Sequence, residues 1–437
     1  MTEIGPLSAS QIGSFAYLTV KDRLPIILTR VIDYLYREKV LIGDKYGEGG
    51  KEGCKEVVGR LSQLKNEIQT NKPLLLLQTH PDPSSLFDDT DLWNRQFEKY
   101  ISVYGMPPKW FTAPWLYVEC YMYARIHEAF YLCNPLREFD PFEEQKKKSL
   151  IDSHAATESL ATHVLSLCSR IPTLTEEQLK QSVTQLIEVS VWGNRCDLSL
   201  SSGADRTQET DLLISLDKLR SNIIENNLDS LWQLLVALPE DQRDIVLVLD
   251  NAGFELVTDL CLMTFLTEAG LATSITLHPK TRPWFVSDTT HKDLVWTIDR
   301  CREDGGSAGE MANKWLTYLS DGRWKVSENK FWTTDLDFAD MSQIEPELYS
   351  QLSKASLIIF KGDLNYRKLT GDFDWPTTTS FECALRSFSP APVLALRTAK
   401  GGPVVGLAPG VSERIADVTR SWNTSGDYGM IQLCTFS

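Results

Sequence analysis

One apolar run in the second half of the chain constrains the fold most. Residues 245–249 are five consecutive apolar residues, three of them β-branched, and Asp250 and Asn251 follow at once. Such a run is typical of a strand that is buried on both faces of a parallel sheet. Ligands of open α/β sheets bind beyond the carboxyl ends of the strands, where Asp and Asn offer oxygen atoms to a divalent cation. The same two residues are also common helix caps, so both interpretations stay open.

Further predicted strands alternate with helical patterns after residue 200. Apolar runs at 272–277, 356–360 and 392–396 predict three strands, and the pattern at 255–268 predicts a helix. The glycine-rich stretch 303–309 predicts a surface loop. Strands separated by helices indicate an α/β fold, with a parallel or mostly parallel sheet and helices on both of its faces.

Polar residues follow these strands, as Asp250 and Asn251 follow theirs. Right-handed crossovers bring the carboxyl ends of parallel strands to one edge of a sheet. Two acids, an amide and several cations are therefore expected to converge there. This combination suits a divalent metal on one side of a phosphate, with Arg and Lys on the other oxygens. The residues are Asp288 at the end of the segment 283–288, Lys361, Asp363, Asn365 and Arg367 after 356–360, and Arg397 and Lys400 after 392–396.

The first 200 residues are predicted to be helical. An aromatic-rich stretch at 86–142 is interpreted as a buried helical core, because aromatic stripes are far more often core than binding sites. Residues 201–207 are small and polar, which is typical of a linker. We therefore expect a helical N-terminal domain, 1–200, and an α/β/α metal-binding catalytic domain, 201–437. The helical domain is expected to cover the cleft as a lid and to select the substrate.

A helix that precedes the linker ends in an unusual group of polar residues. A capping-box sequence at 175–178 starts this helix, which is predicted to run to about residue 191. Asn, Arg, Asp and Ser are then crowded into 194–199. A helix that ends in Gly-Asn is ordinary, so a simple C-cap and a functional group of residues both remain open interpretations.

The charge and cysteine content limit the possible partners and compartments. Lys and Arg number 44 against 59 Asp and Glu, for a formal net charge of −15, which argues against nucleic acid and anionic membranes as partners. Nine cysteines without a CxxC pair, and a start without a signal-peptide pattern, favour reduced thiols in the cytoplasm, with the nucleus as a second option. No apolar run approaches the ~20 residues that span a bilayer. The sequence carries no signal for the oligomeric state.

Motif searches exclude several common sites. The sequence has no GxxxxGK[ST] or GxGxxG loop, which argues against a P-loop and a dinucleotide site. Its six histidines form no HExxH motif and no cluster with cysteine, so zinc sites are not expected.

Four separated motifs remain, in a fixed order along the chain. They are the Gly-Asn-Arg-Cys-Asp-Leu-Ser sequence at 193–199, Asp-Asn-Ala-Gly-Phe-Glu at 250–255, Lys-Gly-Asp-Leu-Asn-Tyr-Arg at 361–367 and Arg-Thr-Ala-Lys at 397–400. Together they resemble the damage-control phosphatases, a family of metal-dependent sugar-phosphate phosphatases. Its Arg-x-x-Lys subgroup also includes a protein proposed to be a protein-glutamate O-methyltransferase. Arg195 replaces the lysine of the family's Gly-Asn-Lys-x-Asp motif and keeps its charge.

This resemblance implies a fold, an activity and a set of site residues. The fold would be an α/β/α sandwich preceded by a helical part, and the activity that of a phosphoric monoester hydrolase. Its substrates would be small phosphorylated metabolites of the fructose 1-phosphate or fructose 6-phosphate type. Asp250, Asn251 and Asp288 would hold the metal, usually Mn²⁺, Co²⁺ or Ni²⁺ with Mg²⁺ as a further option, and Glu255 would lie close to the reacting centre. The implied substrate-binding residues are Asn194, Asp197, Lys361, Asp363, Asn365, Arg367, Arg397 and Lys400.

The resulting hypothesis is metal-assisted hydrolysis of a phosphomonoester, in which Asp250 holds the metal and orients the attacking water. An Asp250 nucleophile that forms an aspartyl-phosphate is the mechanistic alternative, although the sequence lacks a DxDx[TV] pattern. The alternative function is methylation of protein glutamates with S-adenosylmethionine as the methyl donor. The common fold that binds this donor has a glycine-rich loop after its first strand, and the sequence has no such loop. A non-enzymatic scaffold is the third possibility.

Overall fold

The structure is a computed structural model that describes residues 4–82, 88–193 and 219–436. The part before residue 193 is helical, as predicted. A π-helical turn, Thr19–Arg23, joins the first two helices without a break. The helices of this part are α1 (Phe15–Leu18), α2 (Leu24–Arg37), α3 (Lys39–Tyr46), α4 (Glu48–Gln69), α5 (Thr90–Tyr104), α6 (Trp115–Tyr131), α7 (Glu143–Asp152), α8 (His154–Arg170) and α9 (Glu176–Val191).

Helices α1 to α6 enclose one hydrophobic cluster, most of which lies between Ala9 and Phe142 along the chain and which Trp284 and Leu364 of the C-terminal part also join. Helix α2 buries an apolar stripe, as an amphipathic surface helix does. Helix α6 is different, because nearly all of its side chains are buried, including Trp115 and Tyr123. A helix that is apolar on every side has to lie inside the protein. The aromatic stretch is therefore core, as the sequence predicted.

Seven strands of the described C-terminal part form one sheet. They are β1 (Ile223–Asn226), β2 (Asp244–Val248), β3 (Ser274–His278), β4 (Trp324–Val326), β5 (Leu357–Lys361), β6 (Val393–Thr398) and β7 (Gly429–Cys434). Their order is β1-β7-β6-β5-β2-β3-β4, and neighbouring strands are parallel except for the antiparallel pair β6 and β7. The helices between them are α10 (Leu228–Ala237), α11 (Phe254–Glu268), α12 (His291–Asp304), α13 (Gly306–Ser320), α14 (Met341–Ile344), α15 (Pro346–Leu352), α16 (Gly362–Leu369), α17 (Phe381–Leu385) and α18 (Val411–Val418).

Alternate residues of the central strands enter two separate hydrophobic clusters, one on each face of the sheet. Ile245 and Leu247 of β2 pack with α8 to α13, whereas Val246 and Val248 pack with the region around Trp332 and with α14 to α17. This alternation follows from the two-residue period of a strand that is covered on both faces. The predicted α/β fold, a mostly parallel sheet with helices on both faces, is confirmed.

Most predicted elements are present, and two kinds of error occur. The four predicted strands correspond to β2, β3, β5 and β6, and the capping box of α9 is formed by Thr175 and Gln178. The edge strands β1 and β4 and the C-terminal strand β7 were not predicted. The prediction of a loop at 303–309 was wrong, because α13 begins at Gly306, with only Gly305 between it and α12.

The predicted domain boundary near residue 200 lies outside the described residues and stays a prediction. Within them, the hydrophobic clusters change earlier. The N-terminal cluster draws on residues 9–142 and also takes in Trp284 and Leu364, whereas α8 and α9 share a cluster with β2 and α11. Helices α8 and α9 therefore belong to the outer layer of the sandwich by their packing. In the described ranges, no helix combines the length and the apolar composition that a membrane span requires.

Candidate active site

The order of the strands reverses at the centre of the sheet. After β2 the chain adds β3 and β4 on one side, and it then returns to add β5 and β6 on the other side. Strands β2 and β5 are parallel neighbours, with Val248 opposite Phe360. Ligands of open α/β sheets bind in the crevice that such a reversal opens at the carboxyl ends of the strands. The residues that follow β2 and β5 therefore face a crevice of this kind.

Asp250 and Asn251 follow β2, and the loop after β3 holds their backbone. The Thr289 N–H donates to the Asp250 carbonyl at 2.7 Å, and Asn251 forms an isolated antiparallel bridge with Asp288. Helix α11 has Gly253 as its N-cap residue and receives no side-chain cap. The interpretation of Asp250 and Asn251 as helix caps is therefore wrong. Two segments that lie far apart in the sequence meet at this point.

The side chain of Asn251 links two carboxylates. Its Nδ2 donates to Asp250 Oδ2 at 2.8 Å and to Glu255 Oε2 at 2.9 Å. Its Oδ1 accepts a hydrogen bond from Ser287 Oγ at 2.5 Å. These contacts fix the amide on both sides, so that Asp250 and Glu255 are held close to each other.

Asp288 lies at the end of a strained loop. Phe285 and Val286 have φ angles of 43° and 72°, a left-handed conformation that residues with a side chain rarely adopt. Such strain persists where the surroundings enforce it, and it clusters at functional sites. The ring of Phe285 stacks on Tyr123 at 4.6 Å between centroids. Asp288 Oδ2 lies 3.1 Å from Lys280 Nζ, yet among the described residues it has no partner with hydrogen-bond geometry.

Negative charge accumulates around Asp250. Burial raises the pKa of Asp250 well above its ordinary value, and Glu255 and Asp288 raise it further. Burial also raises the pKa of Asp288, although Lys280 opposes this shift. In the described part of the chain, no Lys or Arg nitrogen lies within ion-pair distance of Asp250. The site therefore holds more buried negative charge than its own side chains compensate.

Lys361 ends β5 and is buried behind these carboxylates. Its Nζ donates to the carbonyl and the hydroxyl of Ser190 at 2.5 and 2.7 Å and lies 3.0 Å from Asp259 Oδ1. Glu255 Oε1 is 3.8 Å away. Burial lowers the pKa of Lys361, but Asp259 and Glu255 more than offset this effect, so the net shift is upward. An ammonium group has three donors, and Ser190 and Asp259 already occupy them.

Gly362 brings the backbone after β5 against Asp250. Its φ angle is +83°, and a Cβ atom built on it would overlap the Asp250 carboxylate. Glycine is the residue that tolerates both the left-handed conformation and so close an approach. The crevice between β2 and β5 is therefore shaped by the missing side chain at this position.

Arg367 of α16 is buried between the helical part and the sandwich. Its Nε and Nη2 each donate to one carboxylate oxygen of Asp372 at 2.9 Å, and its Nη1 donates to Glu119 Oε2 at 2.6 Å. The guanidinium carbon lies 3.7 Å from the centroid of the Trp115 ring. Two carboxylates thus share one guanidinium, in the bidentate geometry that arginine favours.

The residues after β6 approach the crevice from the other side. Arg397 Nη2 lies 2.8 Å from Asp363 Oδ1, its Nη1 donates to the Pro403 carbonyl at 2.8 Å, and its guanidinium stacks on Tyr366. The backbone N–H of Lys400 donates to Asp363 Oδ1 at 3.3 Å. The Lys400 side chain is exposed, and it forms no ion pair with a described residue. The Lys400 side chain is therefore available to a ligand.

These side chains surround a cavity of about 200 Å³. Aromatic rings of Phe15, Trp115 and Phe285 form part of its wall. Five acidic and five basic side chains also contribute to the lining. A small, highly polar molecule with negative charge would find both donors and acceptors here, next to apolar rings that can cover its carbon skeleton.

Comparison with known proteins agrees with the motifs. The family model described as "Damage-control phosphatase ARMT1-like domain" matches residues 19–415. The chain belongs to this family. The predicted family resemblance is thereby confirmed, and with it a phosphatase enzyme at the level of the family.

Relatives of this damage-control phosphatase are similar over nearly their whole length. The proteins named "Damage-control phosphatase ARMT1" from Bos taurus and Homo sapiens are 44% and 43% identical over 435 residues, which cover 98% of this chain and 97% of theirs. The Danio rerio protein of the same name is 43% identical over 435 residues, 98% of this chain and 96% of its own. The crystal structure of a DUF89 family protein from Pyrococcus horikoshii has 17% identity and a TM-score of 0.40, covering 78% of this chain and 89% of that one.

In this family member, most of the predicted site residues lie around one cavity. Asn365 does not line it, and its Nδ2 donates to the Lys361 carbonyl at 2.8 Å and to the Leu249 carbonyl at 3.5 Å. Asn194 and Asp197 lie outside the described residues. The predicted residues that line the cavity are Asp250, Asn251, Glu255, Asp288, Lys361, Asp363, Arg367, Arg397 and Lys400.

The cavity also contains residues that sequence reasoning missed. Glu119 comes from the aromatic helix α6, and Ser287 directly precedes Asp288. A carboxylate within an apolar helix is a signal that was available for Glu119, because a buried charge needs a partner. Arg23 lies in an ordinary amphipathic pattern, and nothing in the sequence distinguishes it from other surface arginines.

The residues present fit a divalent cation. Asp250 and Asp288 supply carboxylate oxygens, and Asp288 Oδ2 is buried without a hydrogen bond from the described residues. A cation would also relieve the mutual repulsion of the buried acids. Within the described ranges, no three His, Cys, Asp or Glu side chains form a metal-ligand group, and the amide of Asn251, which contacts Asp250, is a further oxygen donor at this place. Oxygen ligands of this kind suit Mg²⁺ and Mn²⁺.

Proposed function

We propose that this chain is a metal-dependent phosphatase that hydrolyses phosphomonoesters of small metabolites. The observation that carries this proposal is the position of Asp250, Asn251, Asp288 and Lys400 around one cavity, where the strand order reverses. Oxygen ligands on one side and a free ammonium on the other side match the needs of a bound phosphoryl group. Membership in a family of damage-control phosphatases supports the same activity.

The metal would be held by Asp250, Asn251 and Asp288. When bound, it supplies a Lewis acid for the phosphoryl oxygen and for a water molecule. Mn²⁺, Co²⁺ and Ni²⁺ are the proposed activators, and Mg²⁺ is a further option for oxygen ligands.

The side chains of the chain itself position the reactants. Asp250 orients the attacking water, and Glu255 lies next to it through the shared contact with Asn251. Glu255 would accept the proton that this water releases. Lys400 neutralises charge on the phosphoryl oxygens in the transition state, because its ammonium has no carboxylate partner among the described residues.

The buried cations have a different proposed role. Lys361, Arg367 and Arg397 line the cavity, but each is within ion-pair distance of a carboxylate. We propose that they hold Glu255, Glu119 and Asp363 in place for the hydroxyl groups and the water in the cavity. The donors of Lys361 are all occupied, so only Arg367 and Arg397 have donors left that could reach the substrate. Asn365 supports the backbone of Lys361 from outside the cavity.

The substrate is proposed to be a sugar phosphate, of the fructose 1-phosphate or fructose 6-phosphate type. A cavity of about 200 Å³ restricts the substrate to a small molecule. Carboxylates such as Asp363 and Glu119 can accept hydrogen bonds from sugar hydroxyls, and Trp115 offers an apolar face. The location would be the cytoplasm, with the nucleus as a second option.

Substitution of Asp250 tests the activity. The wild-type protein should release phosphate from a panel of sugar phosphates in the presence of Mn²⁺, Co²⁺ or Ni²⁺. Asp250→Ala should lower kcat/KM by more than about 100-fold. Loss of a residue that only supports a metal ligand costs about 10- to 100-fold, and loss of a proposed ligand itself should cost more. Asp374→Asn, which removes an exposed carboxylate outside the cavity, should retain wild-type rates.

Wild-type turnover by purified, folded Asp250→Ala protein would contradict the site assignment. Acid quenching of a single turnover with ³²P-labelled substrate distinguishes the two mechanisms, because an aspartyl-phosphate at Asp250 would leave label on the protein that hydroxylamine removes. Consumption of labelled S-adenosylmethionine by a preparation that releases no phosphate would instead support the alternative, methylation of protein glutamates.

A further inference from the structure

The five basic side chains that line the cavity fall into two groups. Lys361, Arg367 and Arg397 are buried, and each lies within 3.0 Å of a carboxylate oxygen. Their charges are therefore largely neutralised by the protein. Arg23 and Lys400 are exposed, and neither forms an ion pair with a described residue. These two side chains are the uncompensated cations of the cavity among the described residues.

Arg23 reaches the cavity through an irregular piece of helix. It is the last residue of the π-helical turn Thr19–Arg23, between α1 and α2. π-Helical turns inside α-helices are rare and occur frequently at functional sites. Phe15, which lies about two helical turns earlier on the same helical segment, also lines the cavity. The π-turn therefore belongs to the part of the N-terminal helix that faces the site.

The N-terminal helix is fixed against the loop that carries Lys400. The Phe15 ring contacts Trp115 edge-on, at 5.7 Å between centroids. Gly401 lies against both rings, since a Cβ atom built on it would be 2.8 Å from Phe15 and 3.1 Å from Trp115. Arg23 and Lys400 therefore stand on two segments that pack directly on each other.

Arg23 lines the same cavity as Asp288. Burial and Glu119 raise the pKa of the nearby Tyr123 phenol, Arg23 opposes this rise, and Asp288 adds to it. Arg23 and Asp288 thus both act on one phenol group.

We propose that Arg23 binds the phosphoryl group of the substrate together with Lys400. This proposal rests on the proposed phosphatase function and adds a residue of the N-terminal helical part to phosphate recognition. A guanidinium can donate two parallel hydrogen bonds to phosphate oxygens, whereas an ammonium acts as a point charge. The two cations would together balance the charge of a phosphomonoester dianion bound in the cavity.

The test uses the full chain loaded with Mn²⁺ and the variants Arg23→Gln, Arg23→Lys and Lys21→Gln. Lys21 lies in the same π-helical turn and is exposed, but it does not line the cavity. Binding of inorganic phosphate is measured by calorimetry, and kcat and KM are measured with fructose 1-phosphate. Thermal unfolding of each variant shows that it is folded.

We expect Arg23→Gln to weaken phosphate binding and to raise KM about 10- to 100-fold, as loss of hydrogen bonds to a charged group does. Arg23→Lys should recover part of the loss, because it restores the charge without the planar fork. Lys21→Gln should retain wild-type affinity.

Unchanged phosphate affinity in Arg23→Gln would overturn the inference, and so would an equal loss in Lys21→Gln, which would indicate a general field effect. A wild-type protein that binds no phosphate would overturn it as well. Phosphate binding that depends on Arg23, in a protein that hydrolyses no phosphomonoester, would support the inference and refute the proposed function.

Discussion

Gly362 shows how one residue can determine the shape of the site. Its left-handed backbone begins α16 directly after β5, and the space of its missing side chain is taken by the Asp250 carboxylate. Alanine at this position would be strained and would also collide with Asp250. Gly322, with a nearly identical φ angle of +82°, would place a Cβ atom in open space. An alanine at Gly322 would therefore show the cost of the left-handed backbone alone, whereas an alanine at Gly362 would add the cost of the collision with Asp250.

Gly362→Ala is expected to abolish most activity and to destabilise the fold. Gly322→Ala should cost about 1–2 kcal/mol, the penalty of a left-handed residue with a side chain. Gly362→Ala should cost a further 1–3 kcal/mol or so, because an extra methyl group is forced into a packed region. Urea unfolding and phosphatase assays on both variants measure this difference. Equal losses of stability, with activity retained in both, would contradict the role given to Gly362.

A site residue could be predicted from the sequence where the strand that precedes it could be predicted. Asp250 and Asn251 directly follow an apolar run and Lys400 lies four residues after another, so strand topology brings them to one edge of the sheet. Partners could not be predicted, because ion pairs such as Arg367 with Glu119 join residues 248 positions apart. Local patterns carry no information about which cation a distant carboxylate will neutralise.

At the scale of elements, the start of α13 depends on a residue of another helix. Glu158 of α8 accepts hydrogen bonds from Ser307 N at 2.8 Å and from Ala308 N at 2.9 Å. These are free N–H groups of the first helical turn, which a carboxylate also stabilises through the helix dipole. The local sequence, rich in glycine, predicted a loop at this place. The helix forms because its cap is supplied from a distant part of the chain.

Glu158→Gln should lower the free energy of unfolding by about 1–2 kcal/mol, since the charge and one of the two acceptors are lost. Glu310→Gln, an exposed position within α13, should change it by less than about 0.5 kcal/mol. Chemical denaturation of both variants measures the difference. If Glu158→Gln were as stable as Glu310→Gln, the cap would contribute nothing.

The strands show a similar division. β2, β3, β5 and β6 are buried runs whose composition predicted them. β1 and β4 lie at the edges of the sheet and are four and three residues long, so their hydrophobic signal is weak. β7 pairs antiparallel with β6, a reversal that no alternation of strands and helices indicates.

At the scale of the whole molecule, acid stability depends on a histidine between sheet and loop. His278 at the end of β3 accepts a hydrogen bond from Trp332 Nε1 at 3.2 Å. Burial lowers the pKa of His278 to about 4. The unfolded chain takes up this proton as the pH falls through about 6.5, whereas the folded chain does so only near pH 4. Stability is therefore lost progressively between these two values.

We expect the free energy of unfolding to fall by about 3 kcal/mol between pH 6.5 and pH 4 because of His278. His278→Asn removes the titrating group, so its free energy of unfolding should fall less steeply over that range. His291→Asn, which changes an exposed histidine, should keep the wild-type slope. Urea unfolding at several pH values gives the slopes, and parallel curves for all three proteins would contradict the prediction.

The partners of the helices before the linker were hard to predict. Composition suggested a boundary near residue 200, which lies outside the described residues and stays a prediction, and α8 and α9, which precede it, share a core with the sheet. Helical periodicity shows that a helix has an apolar face, but not which partner covers that face.

The buried arginine that joins α6 to α16 has a mechanical consequence. If the helical part moved away from the sandwich, the Arg367 guanidinium would lose its ion pair with Glu119. Removing one partner from a buried ion pair costs about 3–5 kcal/mol. A hinged opening at every turnover would have to overcome that barrier. The helical part is thus expected to stay in contact with the sandwich during turnover. A substrate would then enter while the two parts stay in contact, and the volume of the cavity, about 200 Å³, would limit the size of the group that it can hold.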